Sequence, residues 1–281
     1  MAKIAVESDE LPLAARVLAR GDGWTVSHVI CTSGPQDRPF EEQHSQTSIA
    51  IVLAGTFQYR SSTGCELMTP GSLFLGNAGQ CFRCGHEHGT GDRCLSFSYG
   101  PEFFERIVAD AGGVRTDFRT LRIPPIRALS PLVAQASAAL AGTNPLTYEE
   151  LSVSVAAQAI QLESGIASSP RSAEPSSLAR VTRVVRMMES RPESPHDLAS
   201  LARQARLSPY HFLRTFEALT ATTPHQYLLR LRLQRAAIRL KTGRERILDV
   251  AFDCGFCDVS NFNRAFRAEF GVSPRAYRSL R

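Results

Sequence analysis

The sequence predicts a two-domain protein in which an N-terminal antiparallel β-barrel with helices precedes an all-α C-terminal domain. Residues 167–177 contain two prolines, five serines and no large apolar residue, a composition typical of a linker. β-rich runs lie before this stretch, and dense helix start and stop signals follow it. The 281 residues are enough for two domains that each bury a core.

Charge divides the chain at the same place. Residues 176–281 contain 19 Arg and Lys against 9 Asp and Glu, whereas residues 1–175 contain 13 against 18. A basic domain is attracted to polyanions through counterion release, and an acidic domain is not. We therefore predict domains at 1–166 and 178–281, joined by a linker at 167–177, and expect the second domain to bind a polyanion.

Composition excludes a membrane protein and indicates a globular one, with 43% hydrophobic and 21% charged residues. The longest apolar run, residues 49–57, is too short to cross a bilayer. Residues 1–20 lack the basic start and apolar core of a signal peptide, so we expect a cytoplasmic protein. In that reducing compartment the seven cysteines are expected to be free thiols or metal ligands.

The first domain alternates short β-rich runs with turn residues and then becomes helical. Its predicted strands are 24–31, 48–59, 72–75 and 95–99. Its predicted helices are 101–110, 130–141 and 148–163. This order predicts a small antiparallel barrel or sandwich followed by helices.

The sequence of the second domain predicts helices along its whole length. They are roughly 178–190, 195–204, 209–219, 224–241, 247–254, 259–270 and a short turn from Pro274. Ser194, Ser208 and Thr223, each followed by proline, are predicted N-caps.

This helical domain contains an internal repeat with an offset of 50 residues. The repeated pairs are Leu198 and Leu248, Phe212 and Phe262, Arg214 and Arg264, Phe216 and Phe266, Ala218 and Ala268, Pro224 and Pro274, and Tyr227 and Tyr277. Each copy consists of a helix, a tight turn, a second helix and a proline-started helix, which is the order of a helix-turn-helix unit. Helical spacing predicts that the repeated leucines and phenylalanines are core residues.

Residues 247–278 resemble the signature of AraC/XylS-type transcription regulators. The shared residues are Ala251, Gly255, Phe256, Ser260, Phe262, Arg264, Phe266, Gly271, Pro274 and Tyr277. The resemblance covers residues 178–281 strongly and the plan of a sensing domain before a DNA reader more loosely. It implies double-stranded DNA as a partner, a homodimer, RNA polymerase as a partner of an activator, and two units in successive major grooves about 34 Å apart. The first copy has Ala221 near the position where the family usually has glycine, so we expect a differently shaped helix end.

A helix that starts at Ser208 or Asp258 presents its first turns to a major groove. The candidate DNA-binding residues are Tyr210, His211, Leu213 and Arg214 in the first unit and Val259, Ser260, Asn261, Asn263 and Arg264 in the second. Arginine can bond guanine, asparagine can bond adenine, and an apolar side chain can meet a thymine methyl. The connecting helix carries four arginines that either contact phosphates or solubilise the helix, namely Arg230, Arg232, Arg235 and Arg239.

Residues 55–59 and 67–76, with the turn Pro70-Gly71, are similar to the cupin-like barrel of many AraC-type regulators. This resemblance implies a pocket for an effector, here an unidentified small molecule, and helix 148–163 is the candidate dimerisation element.

A dense group of thiols and imidazoles follows these strands. Its members are Cys81, Cys84, His86, His88 and Cys94, a candidate site for zinc or a similar metal ion, with Asp92 and His44 as companions. Buried apolar thiols with a hydrogen-bonded histidine pair are the alternative. We interpret Cys254 as a core residue and neither Cys254 nor Cys257 as a ligand.

The leading hypothesis is a transcription regulator controlled by a small molecule, a metal or a redox signal, with no catalytic residue and no required cofactor. A cupin-type metal-dependent enzyme is an alternative that needs a His/Glu ligand set facing the barrel interior. A cysteine-based DNA alkyl-damage acceptor needs an activated thiolate. A structural zinc module requires stoichiometric zinc that never leaves.

Overall fold

The computed structural model describes residues 13–37, 39, 41–86, 89–142, 147–163 and 174–279. Residues 1–12 of the N-terminal segment and His88 of the predicted ligand set lie outside these ranges, as do residues 167–173 of the predicted linker. The last linker residues are helical, because helix α4 already begins at Pro175. In the described part of the chain, no helix has the length and apolar character needed to span a membrane.

The first domain contains two antiparallel sheets. The strands are β1 Leu13–Gly21, β2 Trp24–Cys31, β3 Glu41–Gln43, β4 Thr47–Gly55, β5 Phe57–Ser61, β6 Gly64–Met68, β7 Leu73–Gly76, β8 Cys81–Gly85, β9 Asp92–Tyr99 and β10 Arg122–Ile123. One sheet has the order β1-β2-β9-β4-β7-β10 and the other β3-β8-β5-β6. The predicted antiparallel β architecture is therefore confirmed.

The predicted single strand at 48–59 is wrong in one respect, because it is two strands in different sheets. Strand β4 ends at Gly55, whose φ of 77° is readily adopted only by glycine, and β5 begins at Phe57 in the second sheet. An apolar run does not show such a corner, since most residues of both strands are buried or half-buried. The Pro70-Gly71 turn is present, with Ser72 N donating to Thr69 O at 3.0 Å.

Three helices cover the outer face of the six-stranded sheet. They are α1 Pro101–Asp110, α2 Ser130–Leu140 and α3 Tyr148–Glu163. Leu151, Val155 and Ala159 on α3 join Ile49 and Phe97 of the sheet in one hydrophobic core. The apolar face of α3 is thus already buried within its own domain.

The C-terminal domain contains seven helices among the described residues. They are α4 Pro175–Ser190, α5 Leu198–Ala205, α6 Pro209–Thr220, α7 Pro224–Thr242, α8 Ile247–Asp253, α9 Val259–Phe270 and α10 Pro274–Ser279. The phenylalanines of the repeat, Phe212, Phe216, Phe262 and Phe266, are fully buried. The predicted repeat of two helix-turn-helix units is therefore present.

Leu198 and Leu248 are not core residues, contrary to the sequence-based expectation. They are 40% and 45% exposed because they lie in the first turns of α5 and α8 on the outward face. Leu201 and Ala251 face the two cores instead. Helical spacing alone does not determine which apolar residue of a short helix faces inward.

The N-cap of α5 also differs from the prediction. Ser208 and Thr223 cap α6 and α7 as expected, but α5 is capped by Asp197 rather than Ser194. The Asp197 carboxylate accepts from Ser200 N at 2.7 Å, while Arg232 holds the Ser194 carbonyl at 2.9 Å. The tertiary contact keeps residue 194 outside the helix.

The ends of α6 and α9 are alike, although only the second has glycine. Ala221 and Gly271 both adopt left-handed conformations, with φ of 57° and 77°. The differently shaped end expected for the first copy is therefore absent, and Ala221 carries the backbone strain that glycine avoids.

Ala221→Gly is expected to raise the free energy of unfolding by about 1 kcal/mol, since the relief of left-handed strain exceeds the added entropy of glycine in the unfolded chain. Gly271→Ala is the matched control and should lower stability by a similar amount through left-handed backbone strain alone, because its added methyl meets no atom within 4 Å and so causes no clash. Urea or thermal denaturation measures both changes. A destabilised Ala221→Gly variant would contradict this account.

Candidate nucleic-acid interface and barrel cluster

The first exposed helix end is that of α6. Its N-cap Ser208 accepts from His211 N at 3.4 Å and contacts the His211 ring at 2.9 Å. Tyr210 is 67% exposed, and His211 and Arg214 are exposed beside a half-buried Leu213. Phe212, on the opposite face, is fully buried and holds the helix in place.

The second exposed helix end is that of α9, which Asp258 caps by accepting from Asn261 N at 2.6 Å. Its outward residues are Ser260, Asn261, Asn263 and Arg264, with Val259 half-buried. Arg264 donates to Asn261 Oδ1 at 3.3 Å, one turn away on the same face. All nine predicted contact residues therefore lie at the N-terminal halves of two equivalent helices.

Helix α7 connects the two units, and its four arginines bind the protein itself. Arg232 and Arg235 bind the loop before α5, through the Pro192 carbonyl at 2.7 Å and Glu193 at 2.8 Å. Arg239 pairs with Glu245 and with Asp253 at 2.8 Å. Arg230 donates to Pro125 O at 3.0 Å. The sequence predicts that these arginines either contact phosphates or solubilise the helix. Neither prediction includes the bonds within the protein that they make here.

The N-terminal domain contacts the opposite ends of the same two helices. Arg122, on β10, donates to Leu219 O of α6 at 2.8 Å and pairs with Glu66 at 3.1 Å. Burial lowers the pKa of Arg122, and Glu66 partly offsets this effect. Ser130 at the start of α2 donates to Glu269 of α9. These contacts leave the N-terminal halves of α6 and α9 uncovered.

Known proteins that are similar to this chain match it in the C-terminal helical region. A family model described as "Helix-turn-helix domain" matches residues 201–279. The "HTH-type transcriptional activator RhaS" of Mannheimia succiniciproducens is 34% identical over 95 residues, which cover 34% of this chain and 35% of RhaS. The "HTH-type transcriptional regulator GbdR" of Pseudomonas aeruginosa is 35% identical over 96 residues, which cover 34% of this chain and 26% of GbdR. The chain thus spans about a third or less of these curated relatives.

The C-terminal domain therefore contains a helix-turn-helix domain, and it is similar to the corresponding domain of these transcription regulators. Among solved structures, the DNA-binding domain of AdpA in complex with a target DNA is 32% identical, with a TM-score of 0.35. That match covers 36% of this chain and 90% of the AdpA chain. The match with the family model begins at residue 201, after α4.

In front of the helix-turn-helix domain, the barrel places Cys81 apart from the other described residues of the predicted ligand set. Cys81 is exposed at the start of β8, whereas Cys94 on β9 is 3% exposed and His86 is 5% exposed. Cys84 lies on β8 against the core between the two sheets. The structure therefore does not bring Cys81 into one site with His86, and a different set of side chains surrounds the imidazole.

Cys31, which sequence reasoning missed, lies beside His86 and Asp92. One donor atom from each of these three residues lies within 4.8 Å of the other two. His86 Nε2 is 2.6 Å from Asp92 Oδ2, and the Cys94 thiol donates to Asp92 Oδ1 at 3.3 Å. Cys31 and Asp92 are direct partners in the β2–β9 register, a relation that no local spacing reveals.

The surroundings lower the pKa of one thiol in this region and raise the pKa of two others. Burial raises the pKa of Cys31, but hydrogen bonds from His86 and Ser33 outweigh it and the pKa is lowered overall. Burial raises the pKa of Cys84 and Cys94 well above the ordinary value, and the Asp92 charge adds to this effect. Burial lowers the pKa of His86, but Asp92 and Cys31 more than compensate and bring it to about 9. Of these three thiols, Cys31 is the one in which the anionic form is most favoured.

His44, the other predicted companion, occupies a different part of the barrel interior. Its ring stacks on Phe82 with centroids 4.2 Å apart, and its Nε2 lies 2.7 Å from the Tyr59 hydroxyl. Burial lowers its pKa to about 4. Phe57, Tyr59 and Phe82 fill the space between the sheets. His44 is therefore a neutral core residue at physiological pH.

His44→Gln is expected to reduce the decrease in the free energy of unfolding that acid pH causes. In the unfolded chain His44 protonates below pH 6.5, but in the folded protein it stays neutral down to about pH 4. Stability is therefore lost as pH falls through this window, by at most about 3 kcal/mol. Urea denaturation across the window should show this loss in the wild type and in the control His225→Gln, whose histidine is exposed. Parallel curves for the wild type and His44→Gln would contradict the assignment.

Proposed function

We propose that this protein is a sequence-specific transcription regulator whose helices α6 and α9 enter the major groove of double-stranded DNA. One observation carries the proposal. The two equivalent helices expose polar N-terminal halves and bury their phenylalanines, in repeated frames that α7 connects. A helix presented in this way fits the width of the major groove.

The types of exposed residue support unequal contributions of the two helix-turn-helix units to base recognition. The second presents Asn261, Asn263 and Arg264, which have the donors that read adenine and guanine edges. The first presents Arg214 beside Tyr210 and Leu213, a surface better suited to one guanine and a thymine methyl. The excess of basic residues in this domain provides the sequence-independent attraction to phosphate.

We further propose that the first domain senses a signal and that the chain acts in the cytoplasm. Its contacts at Leu219 and Glu269 reach both reading helices, so a change in the barrel has a direct route to them. RhaS is described as an activator, and activation through RNA polymerase is our proposal for this chain as well. A homodimer is part of the proposal. Its interface would use the outward side of α3, which exposes Val153 beside Glu149 and Glu150, because the other apolar residues of the helix are buried or half-buried.

Alkyl transfer to a cysteine is less compatible with the barrel than signal binding is. Cys31, a thiol whose pKa is lowered, is only 6% exposed and lies on β2 within the sheet. A DNA adduct would need to reach this atom through the covering strands. We therefore base the proposal on binding and assign no catalytic residue.

Arg264→Ala is expected to weaken binding to the preferred site by about 1–3 kcal/mol and to relax specificity at one base pair. Binding to non-specific DNA should change far less, since the phosphate attraction remains. Binding selection from random DNA and fluorescence anisotropy at constant salt measure the two effects. Arg20→Ala removes a surface charge from the first domain and is the control. If no preferred sequence emerges, the proposed function is wrong.

A further inference from the structure

We propose that Cys31, His86 and Asp92 bind one zinc-class divalent cation, and that residues 89–92 couple its occupancy to helix α4 of the C-terminal domain. The inference rests on the proposed function, because it identifies the signal that the first domain senses. It keeps His86 and Asp92 of the predicted group and adds Cys31, which the β2–β9 register places opposite Asp92.

The donor set matches the chemistry of such an ion. A thiolate, an imidazole and a carboxylate are the protein ligands that zinc takes in tetrahedral sites. Ligand atoms around zinc lie roughly 3.3–3.8 Å apart, and the three atoms here are already within 4.8 Å of one another. Only side-chain movements of about 1 Å are needed to close the site. Binding would release the Cys31 and His86 protons to solvent.

Burial and space favour an ion over an organic effector at this place. The side chains of His86 and Asp92 are 2% and 7% exposed. Beside His86 lies a cavity of about 10 Å³, which Thr182 of α4 also lines. This volume is close to that of one water probe, whereas organic ligands need roughly 300 Å³ or more. Of the three proposed ligands only His86 lines this cavity, and three protein ligands are enough for a zinc site whose fourth position is taken by water.

The site lies next to a contact between the domains in which one guanidinium makes several hydrogen bonds. Arg186 on α4 donates to Thr56 Oγ1 at 2.8 Å, to Thr90 O at 2.9 Å and to Gly91 O at 3.1 Å. Gly91 precedes Asp92 in the chain, so a backbone adjustment at Asp92 that accompanies ligation moves a carbonyl that Arg186 binds. A methyl group on Gly89 would lie 1.9 Å from the Arg186 side chain, which shows how closely the segment and the guanidinium pack.

Helix α4 connects this contact with the first helix-turn-helix unit, because its other face packs in the core of that unit. Val181, Val184 and Met188 on its other face are fully buried in the core that contains Phe212 and Phe216 of α6. Next to Arg186, Glu189 accepts from Gly55 N at 2.8 Å. A shift of the 89–92 segment therefore acts on a helix that packs directly on the first reading helix.

Metal binding is tested on the full chain, purified anaerobically and freed of metal with a chelator. Titration with Co²⁺ should give one equivalent with a thiolate charge-transfer band, and Zn²⁺ should abolish the band. Cys31→Ser should lose the band, and Asp92→Asn should lower affinity at least about tenfold. Cys81→Ser is the control and should bind as the wild type does, because Cys81 is exposed outside the cluster.

Three results would overturn the metal site. They are a wild-type protein without the band, a band that survives in Cys31→Ser, and a band that is lost in Cys81→Ser. The first would leave Cys31, His86 and Asp92 as a hydrogen-bonded triad only. Circular dichroism of Asp92→Asn, a nearly isosteric change, separates lost ligation from lost folding.

Coupling is tested by measuring affinity for the selected DNA site with and without Zn²⁺. The ion should change wild-type affinity at least about fivefold. Arg186→Gln should bind Co²⁺ normally but show no zinc effect on DNA, whereas the control Arg183→Gln, exposed on the same helix, should respond. Zinc binding with no effect on DNA affinity would refute the coupling. Specific DNA binding without metal binding would refute only this inference, and metal binding without a preferred DNA site would refute the proposed function.

Discussion

Helix α7 buries its two halves in two different hydrophobic cores, and the arrangement of the DNA-reading surface depends on this. Tyr227 and Leu228 belong to the core of the first unit, while Leu233 and Ala237 belong to that of the second. A single helix shared in this way sets the separation and the relative rotation of α6 and α9, because neither core can move without repacking. The arginines of α7 add bonds to the flanking loops, so its exposed face is structural as well.

The same helix also receives the N-terminal domain. Ala134 of α2 joins the second core beside Leu233, and Arg230 of α7 binds the Pro125 carbonyl. Together with Arg122 and Arg186, these contacts join the barrel to both reading units through buried or half-buried guanidinium groups. Such groups are costly to leave unpaired, so the docked arrangement is strongly favoured over a partly opened one. A signal in the barrel must therefore act on specific hydrogen bonds rather than on a loose tether.

The two units differ in how they reach the same geometry. In the second, glycine ends α9, whereas in the first Ala221 accepts a left-handed conformation that the core around Phe216 imposes. Packing overrode local preference at this position. The barrel shows the same principle at Gly55, Gly89 and Gly91, where only a missing side chain allows the close approach of strands and of Arg186. The small residues at the domain contact have a tertiary role that composition does not indicate.

The sequence alone determined the helical repeat, the two-domain order and the nine candidate contact residues of α6 and α9, of which seven are exposed and Leu213 and Val259 are half-buried. Those features depend on local periodicity and on caps such as Ser208, which act within a few residues. It did not determine the corner at Gly55, the outward position of Leu198 and Leu248, or the Cys31–His86–Asp92 cluster. These depend on which strands pair and which helix faces meet, and Cys31 and Asp92 become neighbours only when β2 and β9 align. Cysteine spacing favoured Cys81, but only the register of the sheet places a thiol beside His86.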